Sequence, residues 1–307
     1  MLEVRNMSLS YDNRSIFSKL SFKLVADGVY GILGPSGVGK SSLLHIIAGV
    51  QDPLEGEIIL NGQQLPRSSQ RLVPGFNEIA LVSSTYNLDW NHTSLENIRE
   101  SILGWPTLHR EKRVQELLNG LLLGHVKNTQ AKYLSEGEKQ RLSIARAISN
   151  FPQWLLLDEP LGHLDFVHKN KLLSQLFHLG IYNVLVVSHN VQDLMGVCHK
   201  MAVFNTNGKL SKFEHPNKMY YNLRNSTLAR LMGPVNTLVV KGVKQHFRPN
   251  DFILSVQGVE LRLSRTWFNG MVYVHQMKTL ENNEIVLYNS TPLPSIVKIL
   301  PNSHETA

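Results

Sequence analysis

The sequence is poor in cysteine and has no long apolar segment. Its one cysteine, Cys198, cannot form a disulfide within the chain, which suits a reducing compartment. None of its apolar runs approaches the roughly 18–20 residues that a membrane-spanning helix needs. Residues 1–9 alternate as a strand does, and they lack the basic start and apolar block of a secretory signal peptide. These absences argue against a disulfide-stapled secreted protein and against a membrane-spanning one, so we expect the chain to be cytoplasmic.

Charged residues are also scarce, at 18% of the chain, whereas hydrophobic residues make up 42%. This balance is typical of a globular protein rather than a disordered one, and 307 residues suggest about two domains. The formal net charge of +7 favours anionic partners. A nucleotide, a nucleic acid and a phospholipid surface all meet that description, so charge alone selects none of them.

The residues from Gly34 to Ser41 match the phosphate-binding loop pattern G-x-x-x-x-G-K-S. Residues 28–33 before them predict a short buried strand, and residues 42–49 after them predict a helix. A glycine loop between a strand and a helix N-terminus forms an anion site, because backbone N–H groups and the helix dipole face the ligand. In this pattern Lys40 reaches the β- and γ-phosphates of a nucleotide, and the Ser41 hydroxyl can bind Mg²⁺. The alternative is a glycine turn that matches by chance.

Two further apolar strands are predicted to end in side chains that can carry chemistry. Residues 154–157 are apolar and are followed by Asp158 and Glu159, and residues 183–188 are followed by His189. Ligands bind at the carboxyl ends of parallel strands, so we expect Asp158 in a Mg²⁺ shell and Glu159 beside an attacking water. The alternatives are a cap for the next helix and, for His189, an ordinary packing or surface histidine.

The rest of the first 234 residues alternates between strands and helices. Residues 1–25 predict two strands, with Tyr11 in the turn either as a half-exposed tyrosine or as a ring that stacks on a base. Residues 90–150 predict a mostly helical insert. Within it Ser135 and Glu138 have the spacing of a capping box. A capped helix and an anion-binding helix N-terminus use the same N–H groups, so both interpretations hold together.

The composition changes after a helix predicted near residues 216–232, which stops at Gly233. Six short β-like runs follow between residues 237 and 300, and turn residues separate them. We therefore predict an α/β domain over residues 1–234 and a small all-β domain over residues 235–307. The first domain would have a mostly parallel sheet, an N-terminal antiparallel β subdomain and a helical insert.

Taken together and in order, these motifs resemble the ATP-binding-cassette ATPases, which belong to the phosphate-loop NTPases. Residues 134–138 look like the signature sequence of that family, with Glu136 in place of the usual glycine and Glu138 in place of the usual glutamine. Residues 235–307 are similar to the C-terminal β domain, called TOBE, of importers for metals, oxyanions and polyamines. The resemblance implies a regulatory or dimer-stabilising role for that domain.

The resemblance also implies a set of site residues. The nucleotide-binding residues that it implies are Tyr11, Gly34, Pro35, Ser36, Gly37, Val38, Gly39, Lys40, Ser41 and Ser42. The catalytic residues would be Glu159 and His189, and Mg²⁺ would be bound by Ser41 and, through water, by Asp158. The remaining implied positions are the signature residues Ser135, Glu136, Gly137 and Glu138, which act on the ATP of a second subunit, Asp165 in the loop between subunits, and Ser84 near Mg²⁺, where the family usually has glutamine.

As a function, the resemblance implies Mg²⁺-dependent ATP hydrolysis in a homodimer or pseudo-dimer that drives a separate transmembrane permease. The chain would sit on the inner face of the membrane through that permease. An importer is favoured, and a periplasmic or surface solute-binding protein would then act through the permease. The alternatives are an export ATPase and a soluble ATPase that acts on nucleic acid or ribosomes. We expect no nucleic acid, because soluble relatives usually carry two cassettes or a long coiled-coil insert.

Overall fold

The structure is a computed structural model, and it describes residues 1–12, 14–83, 85–160, 166–223 and 226–302. The chain forms two compact units, Met1–Pro216 and Asn217–Ala307. The first unit ends ahead of the boundary that the sequence predicts at residue 234. Among the described residues, none of the helices combines the length and apolar character that crossing a membrane requires.

The first unit contains two sheets and a group of helices. Its strands are β1 (Leu2–Tyr11), β2 (Arg14–Leu24), β3 (Val29–Leu33), β4 (Glu55–Leu60), β5 (Gln63–Gln64), β6 (Ile79–Val82), β7 (Trp154–Asp158), β8 (Val184–Ser188) and β9 (Lys200–Val203). Its α-helices are α1 (Lys40–Ile47), α2 (Ser94–Glu100), α3 (Thr107–Gly120), α4 (Glu136–Ala147), α5 (Phe166–His178) and α6 (Val191–Leu194). Short 3₁₀ turns cover Ser68–Gln70, Gly124–Val126 and Ala131–Tyr133.

The larger sheet is parallel and has the strand order β6-β7-β8-β3-β9. Strands β3, β7 and β8 lie at its centre and are buried along their whole length, as their continuous apolar runs predict. The second sheet is antiparallel, with the order β2-β1-β4-β5. Helices α2, α3 and α4 lie between β6 and β7 in the chain, and they confirm the predicted helical insert.

One apolar core joins the two sheets of the first unit through helix α1. The core combines Leu44 and Ile47 of α1 with Val4 of β1 and with Leu156 and Val187 of the parallel sheet. Fully burying one such side chain stabilises the fold by about 1.5–3 kcal/mol. Because α1 begins directly after the glycine loop, this packing fixes the loop against the edge of the parallel sheet.

The second unit is mainly antiparallel β structure, as predicted. Its strands are β10 (Asn236–Val240), β11 (Val243–Phe247), β12 (Phe252–Phe268), β13 (Tyr273–Thr279), β14 (Glu284–Asn289) and β15 (Ile296–Pro301). They form a pair, β10-β11, and a sheet in the order β14-β13-β12-β15. The helix predicted near residues 216–232 is instead two short helices, α7 (Pro216–Tyr221) and α8 (Ser226–Leu231).

Strand β12 differs from the sequence prediction, because it contains two of the β-like runs that were predicted to be separated by a turn. Its pairing with β15 shifts at a bulge, where Leu254 and Val259 both lie opposite Ile299. A Cβ on Gly258 would lie 2.5 Å from the Ile299 carbonyl oxygen, so only glycine fits this close approach. Residues 255–258 therefore form a bulge within one strand rather than a turn between two.

Candidate functional site

The chemistry-bearing residues that the sequence predicts follow three adjacent parallel strands. Strand β3 leads into the glycine loop, β7 ends at Asp158, and β8 ends at Ser188. Two backbone hydrogen bonds tie these ends together. The Gly34 N–H donates to the Ser188 carbonyl over 3.1 Å, and the Glu159 N–H donates to the Val187 carbonyl over 3.0 Å. The structure thus brings the glycine loop, the two carboxylates and His189 to one edge of the sheet.

The glycine loop turns sharply into helix α1. Gly39 stands at the helix N-cap with φ of 101°, in the left-handed region that a side chain rarely adopts. A Cβ there would also lie 2.5 Å from the Ile16 side chain. The turn leaves the N-terminal N–H groups of α1 facing the loop, which is the arrangement that binds a phosphate.

Lys40 is buried within this loop. Its Nζ donates to the carbonyl oxygens of Gly34 and Pro35, each over 2.9 Å, and it lies 3.6 Å from Oε1 of Glu159. Burial lowers the pKa of Lys40, and the nearby carboxylates of Glu159 and Asp158 oppose that shift. A cation with few water contacts interacts strongly with anions, so this lysine is suited to hold phosphate oxygens.

Asp158 is the second buried charge of the site. Burial raises the pKa of its carboxyl group, and a hydrogen bond with the Ser41 side chain partly offsets that shift. Among the described residues, its buried Oδ1 has no hydrogen-bond partner. A buried carboxylate oxygen without a partner is costly, and a cation or its bound water would satisfy it. Asp158 and Ser41 therefore fit a Mg²⁺ ion, which prefers oxygen ligands.

Glu159 connects the lysine to the histidine. One carboxylate oxygen faces Lys40, and the other lies 2.9 Å from Nδ1 of His189. The Glu159 backbone has φ of 51°, a left-handed conformation that costs energy for a glutamate and is found most often at functional sites. The Glu159 side chain is 34% exposed, so water reaches a carboxylate that is held from both sides. This arrangement is suited to polarise a water molecule.

Tyr11 lies at the end of β1, where its ring is 45% exposed. Nε2 of Gln51 donates to the Tyr11 hydroxyl oxygen over 2.8 Å, and the Tyr11 hydroxyl donates to Oγ of Ser42 over 3.4 Å. Sequence reasoning missed Gln51, since nothing in the sequence links the loop after α1 to the end of β1. The contacts hold the exposed ring beside the start of α1.

The signature residues lie at the N-terminus of α4. Ser135 is the N-cap of the predicted capping box: its N–H donates to Oε2 of Glu138 over 2.8 Å, and its hydroxyl oxygen accepts from the Glu138 N–H over 3.4 Å. The Ser135 hydroxyl also donates to the same Oε2 over 2.7 Å. These bonds lower the pKa of Glu138, and His125 contributes further at 3.0 Å from Oε1. Glu136 bonds with Tyr86 and Lys139. Sequence reasoning missed His125 and Tyr86, because both lie outside the motif and meet α4 only in the folded chain.

Two predicted site residues, Ser84 and Asp165, lie outside the described residues. The site residues that are described belong to two parts of the first unit. One is the strand-end site with the glycine loop, and the other is the capped N-terminus of α4 in the helical insert. Both present helix N-termini, which favour anions.

Comparison with known proteins gives a consistent result. Residues 17–162 match the family model described as ABC transporter. The chain is 30% identical to the spermidine/putrescine import ATP-binding protein PotA of Legionella pneumophila strain Philadelphia 1, over 87% of this chain and 72% of that protein. It is also 30% identical to the sulfate/thiosulfate import ATP-binding protein CysA of Pseudomonas syringae pv. tomato, over 84% of this chain and 81% of that protein.

A solved structure shares the fold. It is a dimeric ATP-binding cassette in a post-hydrolysis state, bound to ADP and Pi. The TM-score is 0.60 at 26% sequence identity, and the match covers 70% of this chain and 98% of that one. These two relatives are named as ATP-binding proteins, and the solved structure is an ATP-binding cassette.

Proposed function

Because this chain belongs to the ABC transporter family and is an ATPase of that family, we propose that it powers an importer by hydrolysing ATP at the strand-end site. In this role Lys40 and the loop N–H groups hold the phosphates. Glu159 is the general base, and His189 orients its carboxylate. The observation that carries the proposal is the placement of Glu159, which faces Lys40 on one side and His189 on the other.

Glu159 performs the proton transfer in this proposal. Its carboxylate accepts a proton from the attacking water while Lys40 stabilises the negative charge on the phosphate that is being released. Proton transfer by a positioned base contributes typically about 10²–10⁴-fold in rate. The partial exposure of Glu159 lets water enter, and the contacts on both sides keep the carboxylate in one orientation.

Mg²⁺ is the cofactor that we propose beside ATP. Ser41 and Asp158 would hold it, as the unpartnered Oδ1 of Asp158 suggests. When bound, the ion neutralises charge on the β- and γ-phosphates. Burial raises the pKa of Asp158, and a positive ion next to the carboxylate would lower that pKa again.

We further propose that the chain acts as a dimer, in which Ser135, Glu136, Gly137 and Glu138 of one copy face the ATP of the other. The dimeric cassette structure supports this arrangement. A separate permease would provide the membrane passage and hold the chain at the inner face of the membrane. The import subunits among its relatives favour import over export or a soluble role. A solute-binding protein would act through the permease.

The proposed roles of Asp165, Ser84 and Tyr11 follow from the family alone. Asp165 would contact the second copy, Ser84 would lie near Mg²⁺, and the exposed Tyr11 ring would stack on the adenine base. The β domain over residues 235–307 would regulate the enzyme or stabilise the dimer.

The test is the ATPase rate of the purified chain with Glu159→Gln. Glutamine keeps the size of the side chain but cannot accept the proton, so turnover should fall by about 10²-fold or more while ATP still binds. The matched control is Glu55→Gln, which changes an exposed glutamate at the start of β4 and should leave the rate unchanged. Near-normal turnover by Glu159→Gln would contradict the proposal.

A further inference from the structure

The loop that follows β6 is fixed to helix α4 at two points. The Tyr86 hydroxyl donates to Oε2 of Glu136, the first residue of α4, over 3.0 Å. The Ser143 hydroxyl donates to the Tyr86 carbonyl oxygen over 2.6 Å. Glu136 and Ser143 are two helical turns apart and lie on one face of α4. Tyr86 therefore ties the loop after β6, an edge strand of the parallel sheet, to both the start and the middle of α4.

The backbone at Tyr86 shows that this contact is specifically built. Tyr86 has φ of 62° and the following Asn87 has φ of 47°, both in the left-handed region. Asparagine tolerates this region, whereas a tyrosine is uncommon there and is held by its surrounding contacts. The Tyr86 N–H donates to the Ser83 carbonyl over 3.1 Å, which closes the turn. Burial raises the pKa of the Tyr86 hydroxyl, and the bond to Glu136 raises it further, so the group stays a hydrogen-bond donor at neutral pH.

The position of the Glu136 carboxylate at the N-terminus of α4 makes its orientation important for anion binding. It occupies the first position of α4, in place of the glycine usual in this family, beside the N–H groups that would face a phosphate. A carboxylate there repels an incoming anion. In the structure Tyr86 binds its Oε2, and Lys139 binds its Oε1 over 2.7 Å. Both oxygens are thus engaged by donors of the same chain.

We infer that Tyr86 is a positioning residue, whose hydroxyl holds the Glu136 carboxylate aside so that the N-terminus of α4 can receive the γ-phosphate of ATP bound by a second copy. The inference rests on the proposed function, because only the dimer brings that phosphate to α4. Tyr86 acts through Glu136 and touches no reacting atom.

The experiment is a double-mutant cycle on the full chain. Tyr86→Phe removes only the hydroxyl, and it should raise the KM for ATP about 3–10-fold with a smaller change in kcat, because one partly exposed bond to a charged group is lost. In the Glu136→Gly background the same change should alter KM by less than about 1.5-fold, since no carboxylate remains to be held. Tyr182→Phe, at the opposite end of β8 from His189, is the matched control and should leave KM unchanged.

Binding of ADP separates this role from damage to the fold. ADP lacks the γ-phosphate, so its affinity should stay within about twofold in every variant, whereas a disturbed fold would weaken it. An equal rise in KM in both backgrounds would overturn the inference while the proposed function stands. Absence of ATP hydrolysis by the unmodified chain would overturn the proposed function and the inference with it.

Discussion

Removal of the Arg248 side chain should unfold the second unit locally and leave the first unit intact. Arg248 is fully buried, and its guanidinium donates to the carbonyl oxygens of Tyr220, Ala229, Gly233 and Pro234 over distances from 2.6 to 3.0 Å. It also lies 4.1 Å from the centre of the Tyr220 ring. This one side chain binds the ends of α7 and α8 to the corner between β11 and β12.

The magnitude follows from the carbonyl groups that lose their donor. A buried acceptor left without a partner costs about 1–3 kcal/mol. Water that enters the vacated space offsets part of this cost. Burial of the charge lowers the pKa of Arg248, so removing the charged side chain also removes an unfavourable desolvation cost. We expect Arg248→Ala to destabilise the second unit by about 3–5 kcal/mol, similar to breaking a buried ion pair. Arg248→Lys should fall between, because an ammonium group cannot reach four carbonyls.

Hydrogen-exchange mass spectrometry measures both units in one experiment. Amides in residues 236–301 should exchange more than about a hundred-fold faster in Arg248→Ala, whereas peptides from residues 29–60 should be unchanged. The control is Arg265→Ala, since Arg265 is exposed and its guanidinium carbon lies 5.4 Å from the centre of the Trp267 ring. If Arg248→Ala lowers the free energy of unfolding of the second unit by less than about 1 kcal/mol, the claim that Arg248 stabilises this unit is refuted.

Two further predictions concern the capping box and the unit boundary. Hydrogen bonds from Ser135 lower the pKa of Glu138 in the folded chain. The ionised Glu138 therefore stabilises the fold above its unfolded pKa, and this stabilisation is lost as the pH falls through its folded pKa. Glu138→Gln should make the melting temperature depend less on pH between pH 6 and pH 3. An unchanged pH dependence would contradict this. Truncation after Pro216 should leave a chain that binds ATP. Truncation after Gly233 should leave residues 217–233 sensitive to protease, because they lose their contacts with Arg248. If residues 217–233 resist protease as well in this truncated chain as in the full chain, the boundary lies elsewhere.

Local sequence patterns were sufficient to predict which residues lie together at one edge of the parallel sheet. The glycine loop, the apolar strands and the polar residues that follow them each depend on neighbours in the chain. Parallel strands then bring Lys40, Asp158 and His189 to one edge without further information. The capping box of Ser135 and Glu138 is equally local, since its two partners are three residues apart.

The contacts that the sequence did not predict are long-range. Tyr86 meets Glu136 only because the helical insert folds back onto the loop after β6, and Gln51 meets Tyr11 only through the packing of α1. The structure buries Arg248 against the backbone carbonyls of residues 220, 229, 233 and 234, which lie 14 to 28 positions earlier in the chain. Such contacts depend on tertiary packing, which overrides local propensity and leaves no periodic signal.

The central claim is that two copies of the chain complete each ATP site, and mixing two inactive variants tests it most directly. Lys40→Ala removes the ammonium group that we propose binds phosphate, and Ser135→Arg places a larger side chain at the N-terminus of α4, so each variant alone should hydrolyse ATP poorly. A mixture that forms heterodimers pairs one intact strand-end site with one intact signature helix. We predict that ATP hydrolysis reappears in this mixture, at up to about half of the unmodified rate per dimer, because one composite site is restored. A mixture that forms heterodimers yet stays as inactive as its parents would contradict the claim.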